Sequence, residues 1–411
     1  MMAEAARVQP RQQDGWVDEF EGVMYDIFLR LPPKSVVRCR AVCRSWLRVA
    51  SDRRFLLDHH RRQPSLPLLY FILDDLRGPE VSQSEYRLEV LDLRANDNKL
   101  QTVLGFSSHV NWLMIPHDHE RRLALHGSCN GVLLLSSDDR QLSSVDRLYL
   151  YNPTTRHWGC LPPLHSDNTI AGLYWHRISD DYRVLYFRLH EDGKYCYYVM
   201  EAGTRKQRLV SRQVSLIHSP WPAGSARRSP PVLLHDNLHW PPVSSRPESI
   251  AVFNTVTEEF WFMRSPAIYV DSLLISNVKL LDMEGVLALS SSCREATGDD
   301  GPLRVDLWFL EDYNNDRVWV CKYRIELPVE EISRFHAFLD GWNAVVVSHE
   351  GDVLVYLWNL LLGYDSEGNS VANLPCDCRF LEIGPHMLKR SLVPHASLGM
   401  YNPTNHLFSD D

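Results

Sequence analysis

Nothing in this chain is apolar for long enough to cross a bilayer. The longest apolar run, Val353 to Leu362, is broken by Asn359 and falls well short of the roughly 20 residues that a membrane helix needs. No C-x-x-C pair occurs, and the nine cysteines are odd in number and irregular in spacing. That predicts reduced thiols in an intracellular compartment rather than a disulfide framework. Cys376-Asp377-Cys378 comes nearest to a metal pair, but no second pair completes it. No Gly-rich loop stands ahead of a helix to cradle phosphate. Excess positive charge is lacking too: 43 Lys and Arg stand against 52 Asp and Glu, a net −9, which speaks against a general nucleic-acid binder. Residues 1–15 have no apolar core of signal-peptide length and are expected to be disordered. The expectation is a soluble protein of cytoplasm or nucleus; the basic pairs Arg227-Arg228 and Lys389-Arg390 do not decide between the two.

Catalytic constellations are missing as well. Gly127-Ser128-Cys129-Asn130-Gly131 lacks the Gly-x-Ser-x-Gly spacing of a nucleophile elbow and reads as a turn. His117-Asp118-His119 offers two imidazoles in a charged loop, without the spacing of further ligands that real metal sites show. Cys43 reads as a small buried hydrophobe rather than a nucleophile. No catalytic residue, metal ligand or cofactor is therefore assigned, and the chain reads as a non-enzyme.

What the chain does have is an uneven start. Within residues 30–62 lie ten Lys or Arg against only Asp52 and Asp58, and the pattern there is helical. Val23, Met24, Ile27, Phe28 and Leu31 fall on one stripe of a first helix. Leu31-Pro32-Pro33 stops it, because proline lacks the N–H and pushes the residue before it out of the α region. A second helix is predicted from Ser35, with Val36, Cys39, Cys43, Leu47 and Ala50 on one line and Val42, Trp46 and Val49 beside it. Ser51 or Asp52 can cap a third that carries Phe55, Leu56 and Leu57. Faces this wide cannot be buried by two short helices alone, so the third helix or a partner must cover them. On pattern alone, a small helical subdomain packed on the rest of the chain would look the same.

The run Ile27-Phe28-Leu29-Arg30-Leu31-Pro32-Pro33-Lys34-Ser35, continued by Arg38-Cys39-Arg40-Ala41-Val42-Cys43-Arg44-Ser45-Trp46, resembles the F-box. The resemblance implies three helices over residues 16–62 that bind the Skp-type adaptor of a cullin-RING ubiquitin ligase. It points to Ile27, Leu31, Pro32, Val36, Val37, Val42, Cys43 and Trp46 as the adaptor contacts. The basic run by itself could be a solvated helix face or a basic arm for nucleic acid; an acidic protein partner fits the resemblance better. One departure stands out: the family opens its motif with a Leu-Pro pair, and here Glu19-Phe20 takes that place.

Beyond Pro64 the helical period gives way to short apolar runs separated by turn residues; the 12 Trp and 17 Tyr suit sheets. Leu123–His126 and Val132–Ser136 flank Asn130-Gly131, a hairpin signal because both residues tolerate positive φ. Leu148–Tyr151 then turns through Asn152-Pro153-Thr154-Thr155 into Arg156–Cys160. The same closing hairpin recurs, with turns near Asp92, Asn152, Glu201, Asn254, Asp312 and Asp365, at separations of 60, 49, 53, 58 and 53 residues. Such a recurrence of four-stranded units predicts a six-bladed β-propeller. Its first copy is incomplete at the front, and a strand from Ser391–Tyr401 is expected to complete it. Two stacked β-sandwiches remain the alternative. The fold expected is thus α+β and multidomain: helical residues 16–62, an all-β domain over 65–395, and a tail over 396–411.

Gly127–Leu135, Leu150–Arg156, Trp158 and Leu161-Pro162-Pro163 resemble the F-box-associated domain of plant-type F-box proteins, and the likeness runs more weakly through 253–260, 308–323 and 351–364. It implies a substrate-recruiting, Kelch-like propeller. Together the two resemblances imply a non-enzymatic substrate adaptor of a Skp-cullin-F-box ubiquitin ligase. A structural or regulatory propeller with a weakened F-box, or a propeller enzyme, are the alternatives. For target binding, the polar, Pro-rich loop 218–228 singles out Trp221, Arg227 and Arg228, an aromatic anchor beside two cations; a disordered connector has the same composition.

Overall fold

The computed structural model describes residues 22–75, 82–92, 100–110, 123–137, 145–165, 167–213, 230–242, 246–266, 278–294, 303–328, 343–348, 350–357, 360–375 and 380–398. They divide into two compact units: the helices with residues 389–394, and residues 65–388 with those from 395 onward. No helix among the described residues is long and apolar enough to cross a membrane.

Four helices make the first unit, one more than the pattern predicts. These are α1 (residues 22–28), α2 (Pro33–Cys39), α3 (Arg44–Ser51) and α4 (Arg53–Arg62). Pro33 occupies the first turn of α2, where its missing N–H is no loss. The expected long second helix breaks between Arg40, which caps α2, and Cys43, whose extended backbone opens α3. Arg40 braces the break by donating Nε and Nη2 to the Ala50 carbonyl at 3.1 and 3.0 Å. In one straight helix Val36 and Ala50 would stand about 20 Å apart at 1.5 Å per residue. The break lets both enter a single core with Met24, Phe28, Leu29, Val49, Phe55 and Leu56. Asp52 caps α4, its Oδ1 accepting from the Phe55 N–H at 2.9 Å. Leu392 and Val393, from the far end of the chain, complete this core. His60 Nδ1 lies 2.9 Å from the Arg390 carbonyl, and Ser391 is fully buried.

The second unit is a six-bladed propeller, as the recurrence predicts. Blade 1 holds β1 (Ser65–Asp75), β2 (Ser82–Leu91) and β3 (Leu100–Val110); blade 2 holds β4 (Leu123–Cys129), β5 (Val132–Ser137), β6 (Val145–Asn152) and β7 (His157–Cys160), with the short β8 (Leu164–His165) paired to β6. Blade 3 is β9 (Thr169–His176), β10 (Asp181–Leu189), β11 (Tyr195–Glu201) and β12 (Gln207–Gln213); blade 4 is β13 (Val232–Leu234), β14 (Asn237–Trp240), β15 (Ser249–Asn254) and β16 (Phe260–Arg264). Blade 5 is β17 (Val278–Met283), β18 (Val286–Arg294), β19 (Leu303–Leu310) and β20 (Trp319–Leu327); blade 6 is β21 (Asn343–Val346), β22 (Val353–Leu357), β23 (Leu360–Tyr364) and β24 (Ser370–Pro375). A last strand, β25 (Phe380–Lys389), pairs with β1 and gives blade 1 its fourth strand.

The recurrent turns join the third and fourth strands of the blades. Asn152 Oδ1 accepts from the N–H groups of Thr154 and Thr155 at 2.9 and 3.3 Å, and Asn254 Oδ1 from those of Val256 and Thr257 at 2.9 and 2.7 Å. Each short side chain thereby folds its own turn. Asn130 and Gly131, at φ +50° and +80°, make the tight β4–β5 hairpin.

Strand residues alternate between two faces, and in the inner strands both faces are buried. Leu133, Leu135, Tyr149 and Tyr151 face blade 1, while Val132, Leu134, Leu148 and Leu150 face blade 3. The pattern repeats around the ring, and Leu69, Phe71 and Leu91 of blade 1 close it against Val345, Leu354 and Leu361 of blade 6. The closing strand is not Ser391–Tyr401, where the sequence reading put it, but the segment before. Gly384-Pro385 masks β25 as a strand, yet β25 is the edge strand of its sheet, a position where proline is tolerated.

Blades 3 and 4 are also joined by charge. Arg183, 8% exposed, lies 2.5 Å from Glu258 and 3.4 Å from Glu201; Arg208 pairs with Glu258 from the other side, and the Tyr174 hydroxyl donates to Glu258 at 3.0 Å. Glu258 itself comes from the blade 4 turn, at φ +60°. Histidines held neutral mark other joints. His386 on β25 and His126 on β4 are pushed down to about 3 and about 4 by desolvation, His126 adding its charge against His386; His239 of β14, whose Nε2 lies 2.7 Å from the Tyr313 hydroxyl, is also held at about 4 by desolvation.

Two outcomes are expected. Replacing both Leu392 and Val393 by Ala should destabilise the helical unit by about 3 kcal/mol or more, visible as faster hydrogen exchange in α1 to α4 with the propeller strands unchanged; equal protection would remove the tail from that core. The depressed histidines give the second. Their unfolded forms bind a proton near pH 6.5 while the native forms do not until roughly pH 4, so the stability they contribute is full above 6.5 and is lost as pH falls through that window. Melting temperatures from pH 7.5 to 4.5 should fall, with a slope of at most about 1.4 kcal/mol per pH unit for each histidine, and His386→Gln should flatten the curve.

Candidate functional site

The helical unit satisfies its own core and still leaves large apolar side chains uncovered. Phe28 is the centre: Trp46 meets it edge-on at 5.2 Å and Phe55 at 6.3 Å, while Tyr25 meets Phe55 at 5.3 Å. The Tyr25 hydroxyl donates to Asp58 at 2.6 Å, and burial together with that carboxylate raises its pKa to about 12. His59, fully buried, lies with Nε2 2.9 Å from the Leu31 carbonyl and so pins the end of the first helical segment; burial holds its pKa down.

Outside this core, Val23, Ile27, Val37, Val42 and Leu47 are 54, 47, 44, 60 and 46% exposed. Val23 and Ile27 share one face of α1 at i, i+4. Val37 stands on α2, Val42 in the break and Leu47 on α3. Arg30, Lys34, Arg38 and Arg44 are exposed among them. Exposed apolar side chains of this size, interleaved with cations, suit docking to an apolar surface with an acidic rim.

The residues singled out from the sequence fall into three groups. Ile27, Pro32, Val37, Val42 and Cys43 are exposed and Leu31 and Trp46 are half-buried, whereas Val36 is fully buried. Val36 therefore acts on any docked partner only through the packing beneath α2. Cys43, expected in a buried helix line, instead sits exposed at the N-terminal cap of α3, because the helix breaks there. Val23 and Leu47 were not singled out, although their positions on the helical stripes were the available signal.

The described residues contain no group of three or more His, Cys, Asp or Glu that could hold a metal ion. Cys129 is buried with its thiol pushed up to about 12 by desolvation, opposite to what a nucleophile needs. Glu19-Phe20, His117-Asp118-His119, Cys376-Asp377-Cys378 and the loop carrying Trp221, Arg227 and Arg228 lie outside the described residues.

Comparison with known proteins gives the same two parts. A family model described as F-box-like matches residues 21–62, and one described as F-box associated beta propeller domain matches residues 87–361, more than half of the chain. Among curated relatives, the Arabidopsis thaliana F-box protein CPR1 is 26% identical over 333 residues, covering 74% of this chain and 72% of its own length. The Arabidopsis thaliana F-box protein At3g07870 is 27% identical over 337 residues, with the same shares covered. A third, F-box protein At4g22390 of the same plant, is 22% identical over 390 residues, 86% of each chain.

Exposure separates folding from docking in a way that can be measured. Val37→Asp and Val42→Asp, at exposed positions, should move the stability of the helical unit by no more than about 0.5 kcal/mol. Trp46→Ala removes the edge-on contact with Phe28 and should lower it by about 2 kcal/mol. Thermal denaturation of the three variants checks this, and a large loss from either aspartate would place those valines in the core.

Proposed function

The chain belongs to the F-box associated beta propeller family, and from that premise we propose that it is the substrate-recognition adaptor of a Skp-cullin-F-box ubiquitin ligase. The helical unit binds the Skp-type adaptor and, through it, the cullin and RING subunits; the propeller holds the protein to be ubiquitinated. The observation that carries this reading is the set of five uncovered apolar side chains on a helical unit whose own core is already complete. Residues that fold without needing that surface, and yet keep it apolar, are explained by a partner. The protein's contribution to the reaction is then proximity: tethering raises the effective concentration of the target near the charged ubiquitin carrier. Ile27, Leu31, Pro32, Val37, Val42, Cys43 and Trp46 are the proposed contacts, joined by Val23 and Leu47, with Val36 beneath them. Loop residues Trp221, Arg227 and Arg228 remain candidates for contact with the target. Cytoplasm or nucleus is the compartment this role requires.

Glu19-Phe20, in place of the family's Leu-Pro, favours a second reading: an interaction protein whose F-box engages the ligase weakly or not at all. Both are tested on the full chain, since the helical core includes Leu392 and Val393 and residues 16–62 alone lack them. In titration with purified Skp-type adaptor, the wild type should bind and the paired change Val37→Asp, Val42→Asp should weaken binding by about 100-fold or more, because each places an unpaired carboxylate in an apolar contact. Restoring Leu-Pro at positions 19 and 20 should strengthen it. A wild type that does not bind would leave the second reading; binding that ignores the aspartates would overturn the proposed contact surface.

A further inference from the structure

Between blades 2 and 3 the packing is closed on the inner strands and open farther out. On the inner side, Leu134, Leu148 and Leu150 meet Leu173, Tyr182, Val184 and Met200. Farther along β10 and β11 the residues change in kind. Tyr186, Arg188 and Tyr198, with Gln207 and Leu209 of β12, face the connection that carries His165, around a cleft of about 280 Å³.

The walls of this cleft are held in place. Tyr186 and Tyr198 are cross-strand partners whose rings stack at 5.4 Å and 15°. The Tyr186 hydroxyl donates to Gln207 Oε1 at 2.8 Å, which leaves the Gln207 amide N–H groups as donors. The Arg188 guanidinium lies 5.1 Å from the centre of the Tyr198 ring and donates to its hydroxyl at 3.2 Å. A fixed, stacked arginine with a Gln donor nearby is a rigid site rather than a mobile surface cation.

Arg188 is also under-used. It carries five N–H donors; one Nη donates to Tyr198, and among the described residues no carboxylate lies within ion-pair distance of the guanidinium, so its remaining Nη donors at the cleft are what a ligand could use. The bond to the Tyr198 hydroxyl favours its charged form, and Asp167 adds to this from a distance without pairing. Arg208, at the other wall, is already held by Glu258 and Glu201. At the mouth Leu209 is 52% exposed, an apolar shelf beside the cation. The volume is below the range of about 300–1,000 Å³ usual for small-molecule sites and suits one or two side chains of an extended segment.

We propose that this cleft binds an acidic peptide, a carboxylate side chain entering against Arg188 and Gln207 while a neighbouring apolar side chain rests on Leu209. The inference rests on the reading of the propeller as the recruiter of a protein target, and assigns that recruiter its anchoring residue. The carboxylate meets a guanidinium already oriented by Tyr198, so the charge-assisted bonds form with little further ordering.

The test is selection from displayed random peptides about ten residues long on the full chain, followed by titration of synthetic copies of those selected. Selected peptides should share Asp or Glu beside an apolar residue. Changing that Glu to Gln should weaken binding roughly tenfold, Arg188→Gln in the protein should do the same, and the two together should lose little more than either alone. Leu209→Glu, an exposed change that leaves the walls intact, should weaken binding as well, and keeps the test open should Arg188→Gln fold poorly. Recovery of no peptides, absence of acidic enrichment, or equal binding to Arg188→Gln would overturn the proposal. So would binding confined to copies carrying phosphoserine in place of Glu, which would make the ligand a phosphate. The adaptor titration is independent: its failure removes the ligase role without moving the peptide result, and loss of the peptide result leaves the ligase role standing.

Discussion

The inner strands of each blade are apolar on both faces, and a sheet with two apolar faces has no stable existence in water by itself. Leu133 and Leu135 need blade 1 as much as Val132 and Leu134 need blade 3. The only arrangement that covers every face without leaving an end is a ring, and a ring must be closed. Closure falls to β25, whose Leu388 enters the core between blades 1 and 2. The last described strand is therefore as necessary to blade 1 as the strands that open the propeller.

The same stretch of chain finishes the helical unit. Within a few residues of Leu388, the pair Leu392 and Val393 enters the core around Phe28 and Phe55, more than 300 residues from them in sequence. Then His395 packs edge to ring with Tyr182 and tilted against Trp175, and Leu398 joins the core between blades 2 and 3. Gly159 accommodates that return, since any Cβ there would meet the Ser397 carbonyl. Each unit is thus completed by contacts of very long sequence separation, the kind that form late in folding. The F-box segment of this chain is accordingly not a self-sufficient module.

The turns were the most legible part of the sequence, because their causes are local. Asn130-Gly131 accepts positive φ, and Asn152 and Asn254 fold their own turns through the side chain, so the blade count followed from their spacing. The helical stripes were legible to the same degree. What escaped has its cause elsewhere in the molecule. The break at residues 40–43 depends on Arg40 reaching the Ala50 carbonyl, and it exposes Cys43 and buries Val36 in ways a continuous helix would not. β25 was hidden by Gly384-Pro385, which is acceptable only because that strand ends its sheet. The uncovered Val23 and Leu47 lie on stripes that look like core until the helices are placed. Tyr186, Arg188 and Tyr198 were equally hidden, since aromatic and charged residues alternating along a strand are what ordinary blade packing also produces.

Strand β10 shows why the cleft is more than a packing fault. Its two faces carry two arginines, Arg183 toward blade 4 and Arg188 toward blade 2. Arg183 is nearly buried, and the neighbouring blade supplies Glu258 from a strained turn position, with Arg208 and the Tyr174 hydroxyl converging on the same carboxylate. The joint toward blade 4 is thereby shut, its desolvated charge balanced by a partner from the next blade. Five residues along the same strand, Arg188 is given an aromatic contact and one hydroxyl but, among the described residues, no carboxylate within ion-pair distance, and it lines an open cleft. Among the described residues a glutamate pairs on one face of β10 and no carboxylate pairs on the other, which leaves that position to the proposed group from outside.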